Sequence, residues 1–400
     1  MKAQSIAALC LTVGLSFIHL ANAQEKTVAL PATKTLATVP FALAAENVVL
    51  VSGTLVGHTD TLTFILDTGS SGISLDSATA NRLKLTPEIS DTNIRGIAGV
   101  HKARFLYNQQ LALNGFVLDS LNFHINDYEF LSYVYGARID GVIGYSLFSR
   151  YIVILDYDNK EIQICSQGAI RYPRGGYLLK PAIHRLPVQT ARLRDNRSIT
   201  TRFLYDIGAG PALVLSQDFD RDSAAISVSK TRFPVHAHGV GGSLEMEMTT
   251  ARHLRLGPYR FRHVPTMIFN DQYNVTAYPY LGGIIGNQIL KRFNTIFNYA
   301  KGEIYLEPND QYHEPFERAY SGMELYYING TIIVGSIVRG SPAETAGLKP
   351  DDVVIAVNNN LEQDFVAYKK ALTAARKKIT LIVRRDNELL KIRVKLLRLR

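Results

Sequence analysis

The chain has 400 residues, 46% of them hydrophobic and 20% charged, with a net charge of +9 and two cysteines. That balance supplies enough apolar material for buried cores and excludes a disordered polyelectrolyte. Length points to two or three domains at about 150 residues each, and two cysteines exclude a disulfide framework.

Residues 1–23 read as a secretory signal peptide. Lys2 precedes an uncharged, mostly apolar run over 6–20, and Ala21-Asn22-Ala23 supplies a small-x-small cleavage site. A spanning helix needs about 20 apolar residues, more than this run has, so no membrane span is expected and the mature protein belongs in the periplasm or outside the cell. Cys165 is then the one mature cysteine, and its neighbours Ile162 and Ile164 make it a buried, inert thiol.

Strands are expected over 47–56 and 62–66, where β-branched and aromatic runs are broken by Gly, Asn and Asp. The second leads into "FILDTGSSGISL" (64–75), which sets the carboxylate of Asp67 within an apolar strand. A buried lone carboxylate costs several kcal/mol unless donors or a partner hold it. Downstream come "IRGIAGVHKARF" from 94 and "DGVIGYSLFSRYIVILDYDNKEIQI" from 140. The latter reads as a Gly turn with a short helix over 143–148 and a strand over 151–156. The Gly, Pro and Arg content of 166–181 reads as a linker.

The same three motifs then return. "RFLYDIGAGPALVL" starts at 202, "AHGVGGSLEMEM" at 237 and "GGIIGNQILKRFNTIFNYAKGEIYL" at 282, with a short helix over 285–290 and a strand over 303–306. The offsets of Asp206 from Asp67, Gly239 from Gly96 and Gly286 from Gly144 are 139, 143 and 142 residues. Residues 46–166 and 183–307 are therefore two copies of one unit. Packed about a pseudo-twofold axis, they would bring Asp67 and Asp206 face to face. Gly69 and Gly208 would then permit tight turns whose N–H groups point at the carboxylates. Two carboxylates so close share one proton, and the pair can activate water as base and polarise a carbonyl as acid. No metal or cofactor is required.

On these motifs the chain resembles the retropepsin-like aspartic proteases, as a viral-type dimer fused into one polypeptide over about 46–307. The resemblance implies catalytic roles for Asp67 and Asp206, with loop support from Thr68, Gly69, Ser70 and Gly208. It implies flaps at Gly96-Ile97-Ala98-Gly99 and Gly239-Val240-Gly241-Gly242, and apolar-apolar-Gly turns at Val142-Ile143-Gly144 and Ile284-Ile285-Gly286. The family pattern has Thr or Ser after each Asp, bracing the opposite loop. Thr68 fits, whereas Ile207 departs, which leaves an inactive peptide-binding pseudoprotease as the alternative reading. The Ser70 hydroxyl is expected to bond Asp67, while Ala209 has no donor, so the shared proton is expected on Asp206.

A second linker over 308–322 leads to an unrelated region. "GMELYYINGTIIVGSIVRGSPAETAGLKPDDVVIAVNN" holds a short helix from Ser341 to Gly347, followed by a helix over 365–375 and a hairpin turning at Asp386-Asn387. This resembles a PDZ domain over 320–397, which implies a peptide-binding loop at Gly322, Met323, Glu324 and Leu325 and capture of a C-terminal peptide. The basic residues of the final segment alternate with Ile, Val and Leu, as on solvated strand faces, so no nucleic-acid site is expected. "YDIGAGPAL" at 205–213 lacks the third glycine of a dinucleotide fingerprint. His236 and His238 have no Cys or carboxylate at metal-ligand spacing, so no metal is expected. The expectation is a mainly β monomer: two pseudo-twofold-related acid-protease-like lobes and a PDZ-like, partly open β barrel with two helices, acting on peptides or proteins.

Overall fold

A computed structural model describes residues 31–96, 99–239, 242–316, 319–374 and 378–399. The expected signal peptide over 1–23 lies outside them. Each repeat is built on a strand that ends at its aspartate. Leu62–Leu66 pairs antiparallel with Val49–Leu55 and parallel with Gly141–Ile143. Its mate Ser198–Asp206 pairs with Pro187–Arg194 and runs parallel to Gly283–Gly286. Phe64, Ile65 and Leu66 are all buried, as are Phe203, Leu204 and Tyr205. Parallel pairing covers both faces of a strand, so a continuous apolar run suits it better than strict alternation.

Long hairpins rise from each lobe. Glu88–Gly96 pairs with Gly99–Leu113, and Phe233–Gly239 pairs with Gly242–Leu256. The short helices after the glycine turns are Tyr145–Phe148 and Asn287–Leu290.

One sheet joins the lobes. Ile152–Asp156 pairs with Phe293–Asn298 across the repeat boundary, in register Val153 to Phe297 and Leu155 to Thr295. Outward on one side lie Glu161–Cys165 and then Thr35–Leu43; on the other lie Glu303–Pro308 and then Tyr177–Leu179. The order is symmetric about the central pair, which fixes the pseudo-twofold relation. Its two outer strands were not legible in sequence. "TLATVPFAL" is interrupted by Pro40 and mixes burial, and Tyr177–Leu179 has three residues. Each precedes its repeat, one of them from within the stretch read as a linker. Across this sheet the apolar interiors of the two lobes merge into one core, with Phe64 and Leu155 on one side and Phe203 and Phe297 on the other.

The C-terminal region is a five-stranded sheet in the order Met323–Ile328, Thr331–Ile337, Val353–Val357, Lys378–Arg385, Glu388–Lys395, with helices Pro342–Thr345 and Phe365–Thr373. Ser341 caps the first helix by accepting from Glu344 N–H, and Asp364 caps the second by accepting from Ala367 N–H. Asp386 and Asn387 both adopt positive φ, as a two-residue hairpin turn requires. Among the described residues no helix is long and apolar enough to cross a membrane.

Candidate active site

The two aspartate loops meet where the lobes meet. A Cβ on Gly69 would collide with the Asp206 carboxyl, and a Cβ on Gly208 would collide with that of Asp67. Each carboxyl thus lies against the bare backbone of the other lobe's loop, and the two are within hydrogen-bonding reach of one another. Only glycine admits that approach. Gly69 N–H donates to Asp67 Oδ1 at 2.6 Å, and Gly208 N–H donates to Asp206 Oδ1 at 2.8 Å. Ala209 N–H adds a bond to the same Asp206 oxygen at 3.1 Å.

The glycine turns support these loops in the same way in both lobes. Gly144 packs against Ser70, and Tyr145 N–H donates to the Ser70 carbonyl at 3.0 Å. Gly286 packs against Ala209, and Asn287 N–H donates to the Ala209 carbonyl at 2.6 Å.

Electrostatically the pair is unequal. Burial, reinforced by the neighbouring Asp206 charge, pushes the Asp67 carboxyl well above the ordinary carboxylate range. Burial also raises Asp206, but the hydrogen bond from Asp67 and the N–H groups of Gly208, Ala209 and Gly69 favour its charged form. The Ser70 hydroxyl makes no hydrogen bond to Asp67 among the described residues; the Ser70 backbone N–H favours that carboxylate instead. Backbone N–H groups of Gly69 and Ser70 at Asp67, and of Gly208, Ala209 and Gly69 at Asp206, favour the charged form of each carboxyl.

Thr68 is buried and braces the loops alone. Its hydroxyl donates to the Tyr205 carbonyl at 2.8 Å and accepts from Ile207 N–H at 3.0 Å. Ile207 is 1% exposed and belongs to the shared core, so apolar packing stands where a second hydroxyl would be.

The hairpins carry Gly96 paired with Gly99 and Gly239 paired with Gly242. Ile97, Ala98, Val240 and Gly241 lie outside the described residues. Sequence reasoning missed a polar layer beside the dyad. Tyr157 donates to Asn287 Oδ1 at 2.7 Å, and Asn287 donates to the Asn47 carbonyl at 2.6 Å, linking the lobes. The signal available was Asn287 itself, a polar residue opening the short helix where the first repeat has Tyr145. Tyr299 also faces the pair: burial first, then Tyr205, Asp67 and Asp206, hold its phenol well above its usual range.

The C-terminal sheet presents its edge strand Met323–Ile328 to the first lobe. Helix Glu129–Tyr135, unforeseen in sequence, packs against that edge and against helix Phe365–Thr373. Phe130 meets Tyr326 edge-on with centroids 5.2 Å apart, Gly136 abuts the Phe365 ring, and Lys369 Nζ donates to the Val134 carbonyl at 3.1 Å. Gly322, Met323 and Leu325 are buried in this domain, and Glu324 accepts from Tyr326 and Ser336, each at 3.3 Å. Tyr320 stacks on Phe233 at the base of the second hairpin and donates to the Pro234 carbonyl at 2.9 Å.

The sequence model of the family described as aspartyl protease matches residues 51–147 and again 190–289, and the model described as PDZ domain matches 333–385. No curated protein matches the chain. Two matched repeats, each ending a strand on the Asp-x-Gly loop that meets the other, make this chain a member of the aspartyl protease family, with both units in one polypeptide and a PDZ domain behind them.

Proposed function

We propose that the protein is an exported aspartic endopeptidase whose dyad is Asp67 and Asp206. The observation that carries the reading is the reciprocal packing of each carboxyl against the glycine of the opposite loop. A water held between the two oxygens loses its proton to Asp206 as it attacks the peptide carbonyl. Asp67, protonated, donates to the carbonyl oxygen and stabilises the tetrahedral intermediate. The proton taken by Asp206 then passes to the leaving nitrogen, and as the C–N bond breaks a hydroxyl of the tetrahedral intermediate returns its proton to Asp67, which restores the singly protonated pair. Chain residues alone perform each step. The two hairpins fold over the bound peptide.

Export rests on residues 1–23, with final residence in the periplasm or outside the cell. The PDZ domain serves a peptide or protein partner. The competing reading, a peptide holder without activity, draws on Ile207, but the Thr68 hydroxyl forms both bonds of its half of the brace. Incubation with an unfolded protein from acid to neutral pH decides between them. Cleavage that is blocked by a transition-state aspartic protease inhibitor and absent from Asp67→Asn and Asp206→Asn is expected. Binding without cleavage at every pH would leave the pseudoprotease.

A further inference from the structure

The outer sheet of the second lobe carries a grid of cations. Strands Pro187–Arg194, Gly242–Leu256 and Tyr259–Phe269 lie side by side. In one cross-strand row Arg192 pairs with Arg255 and Arg255 with Arg260; in the next but one, Arg194 pairs with His253 and His253 with Arg262. The row between them, Leu193, Leu254 and Phe261, is buried in the core. Strand periodicity therefore turns all six basic side chains to the same outward face. The five arginines are exposed and form no ion pair among the described residues. Asp195, next to Arg194 in sequence, is buried and already bound to Lys230 and Arg252 N–H. A cavity of about 300 Å³ borders the face, lined in part by Arg260, Arg262, His263, Arg292 and His313, with Glu314 its single acid.

Like charges directly opposite on neighbouring strands destabilise a sheet. Here Arg255 stands opposite an arginine on either side, and no acidic side chain among the described residues pairs with them. Burial and the surrounding cations Arg194, Arg262 and Arg260 hold His253 below its usual pKa, and its Nδ1 has no hydrogen-bond partner among the described residues.

We propose that this face docks on a membrane surface rich in anionic phospholipid. Guanidinium forks match phosphate oxygens bidentately, and every exposed cation in the two rows is arginine, which lysine would not replace. The outward rows contain no Phe, Tyr or Trp to stack a base, against a single-stranded nucleic acid. Five of their six side chains are arginines, whereas the centre of a protein interface is depleted of charge. The inference is independent of the catalytic reading.

Two measurements test it. Arg255→Gln should raise the melting temperature at low salt, and the gain should shrink at high salt as repulsion is screened. A fall in melting temperature at low salt would show that Arg255 is structural and overturn the argument. Second, the full chain should sediment with vesicles of phosphatidylcholine mixed with phosphatidylglycerol at least tenfold more tightly than with phosphatidylcholine alone. Each surface arginine contributes about fivefold, so a triple Arg192→Gln, Arg255→Gln, Arg260→Gln variant should bind about 100-fold more weakly. Neutralising Lys391, Arg393 and Lys395, exposed on the final PDZ strand, changes net charge equally and should matter less than about threefold. Equal losses in the two variants, no preference for phosphatidylglycerol, or tighter binding to duplex DNA than to the vesicles would each overturn the proposal.

Discussion

Asp67 and Asp206 are raised by burial, which gives the proposed dyad a signature in both activity and stability. Asp67→Asn and Asp206→Asn should each lower kcat by about 10³-fold or more, since one removes the acid and the other the base. The stability effect has a definite sign. A carboxyl whose folded pKa lies above its unfolded value near 4 stabilises the fold fully below that value and loses the contribution as pH rises through the folded pKa. Asp67→Asn cannot ionise and should therefore melt higher than the native protein at neutral pH, with the difference vanishing near about pH 3. A native protein whose melting temperature, relative to this variant, does not fall with rising pH would contradict the raised carboxyl. Ser70→Ala should leave the acid limb of the pH–rate curve in place, because backbone N–H groups hold the carboxylates. A displaced limb would mean that the hydroxyl does reach Asp67.

Among elements, the braced loops and the glycine turns decide whether the lobes meet. Thr68→Val keeps shape but leaves the Tyr205 carbonyl and Ile207 N–H without their partner in a buried place. Urea unfolding should show a loss of about 1–3 kcal/mol. Ile207→Thr is expected to cost a similar amount, since it removes burial from the shared core and inserts a hydroxyl there. Ile207→Val, which removes one methylene, should cost only about 0.5–1.5 kcal/mol. If Ile207→Thr were instead stabilising, the position would be a vacant half of the brace and not a packed one.

The whole molecule sets the terms for the PDZ domain. Its edge strand and its second helix both contact helix Glu129–Tyr135, and Ala45 of the first lobe is part of its core. A peptide that adds to that edge must displace the helix, so the contact competes with capture. In the full chain, Phe130→Ala with Lys369→Ala should tighten binding of a peptide with a free C-terminus, by about tenfold, and leave the amidated peptide unaffected. Equal affinity before and after the change would mean that the edge is not where peptides bind. The same docking sets what truncation should do. Removing 320–400 takes Tyr326 from Phe130 and Tyr320 from Phe233, so the two lobes should survive with a lower melting temperature and greater binding of apolar dyes.

By itself the sequence determined the duplication, the paired Asp-x-Gly loops, the glycine turns and the PDZ motif. Those features depend on residue type at fixed spacing: a glycine where backbones touch, a serine that caps, an aspartate after an apolar strand. It also identified Ile207 as the departure from a paired hydroxyl. The tertiary structure alone decided how that departure is absorbed, because burial in a core shared by two lobes is a property of distant residues. It decided that Thr35–Leu43 and Tyr177–Leu179 flank the joining sheet, since edge pairing of short or Pro-interrupted strands is set by the neighbour they find. It set backbone N–H groups, in place of the Ser70 hydroxyl, against the carboxylates, a geometry that residue type alone does not display. And it aligned five arginines and a histidine across three strands, a register that no single strand contains.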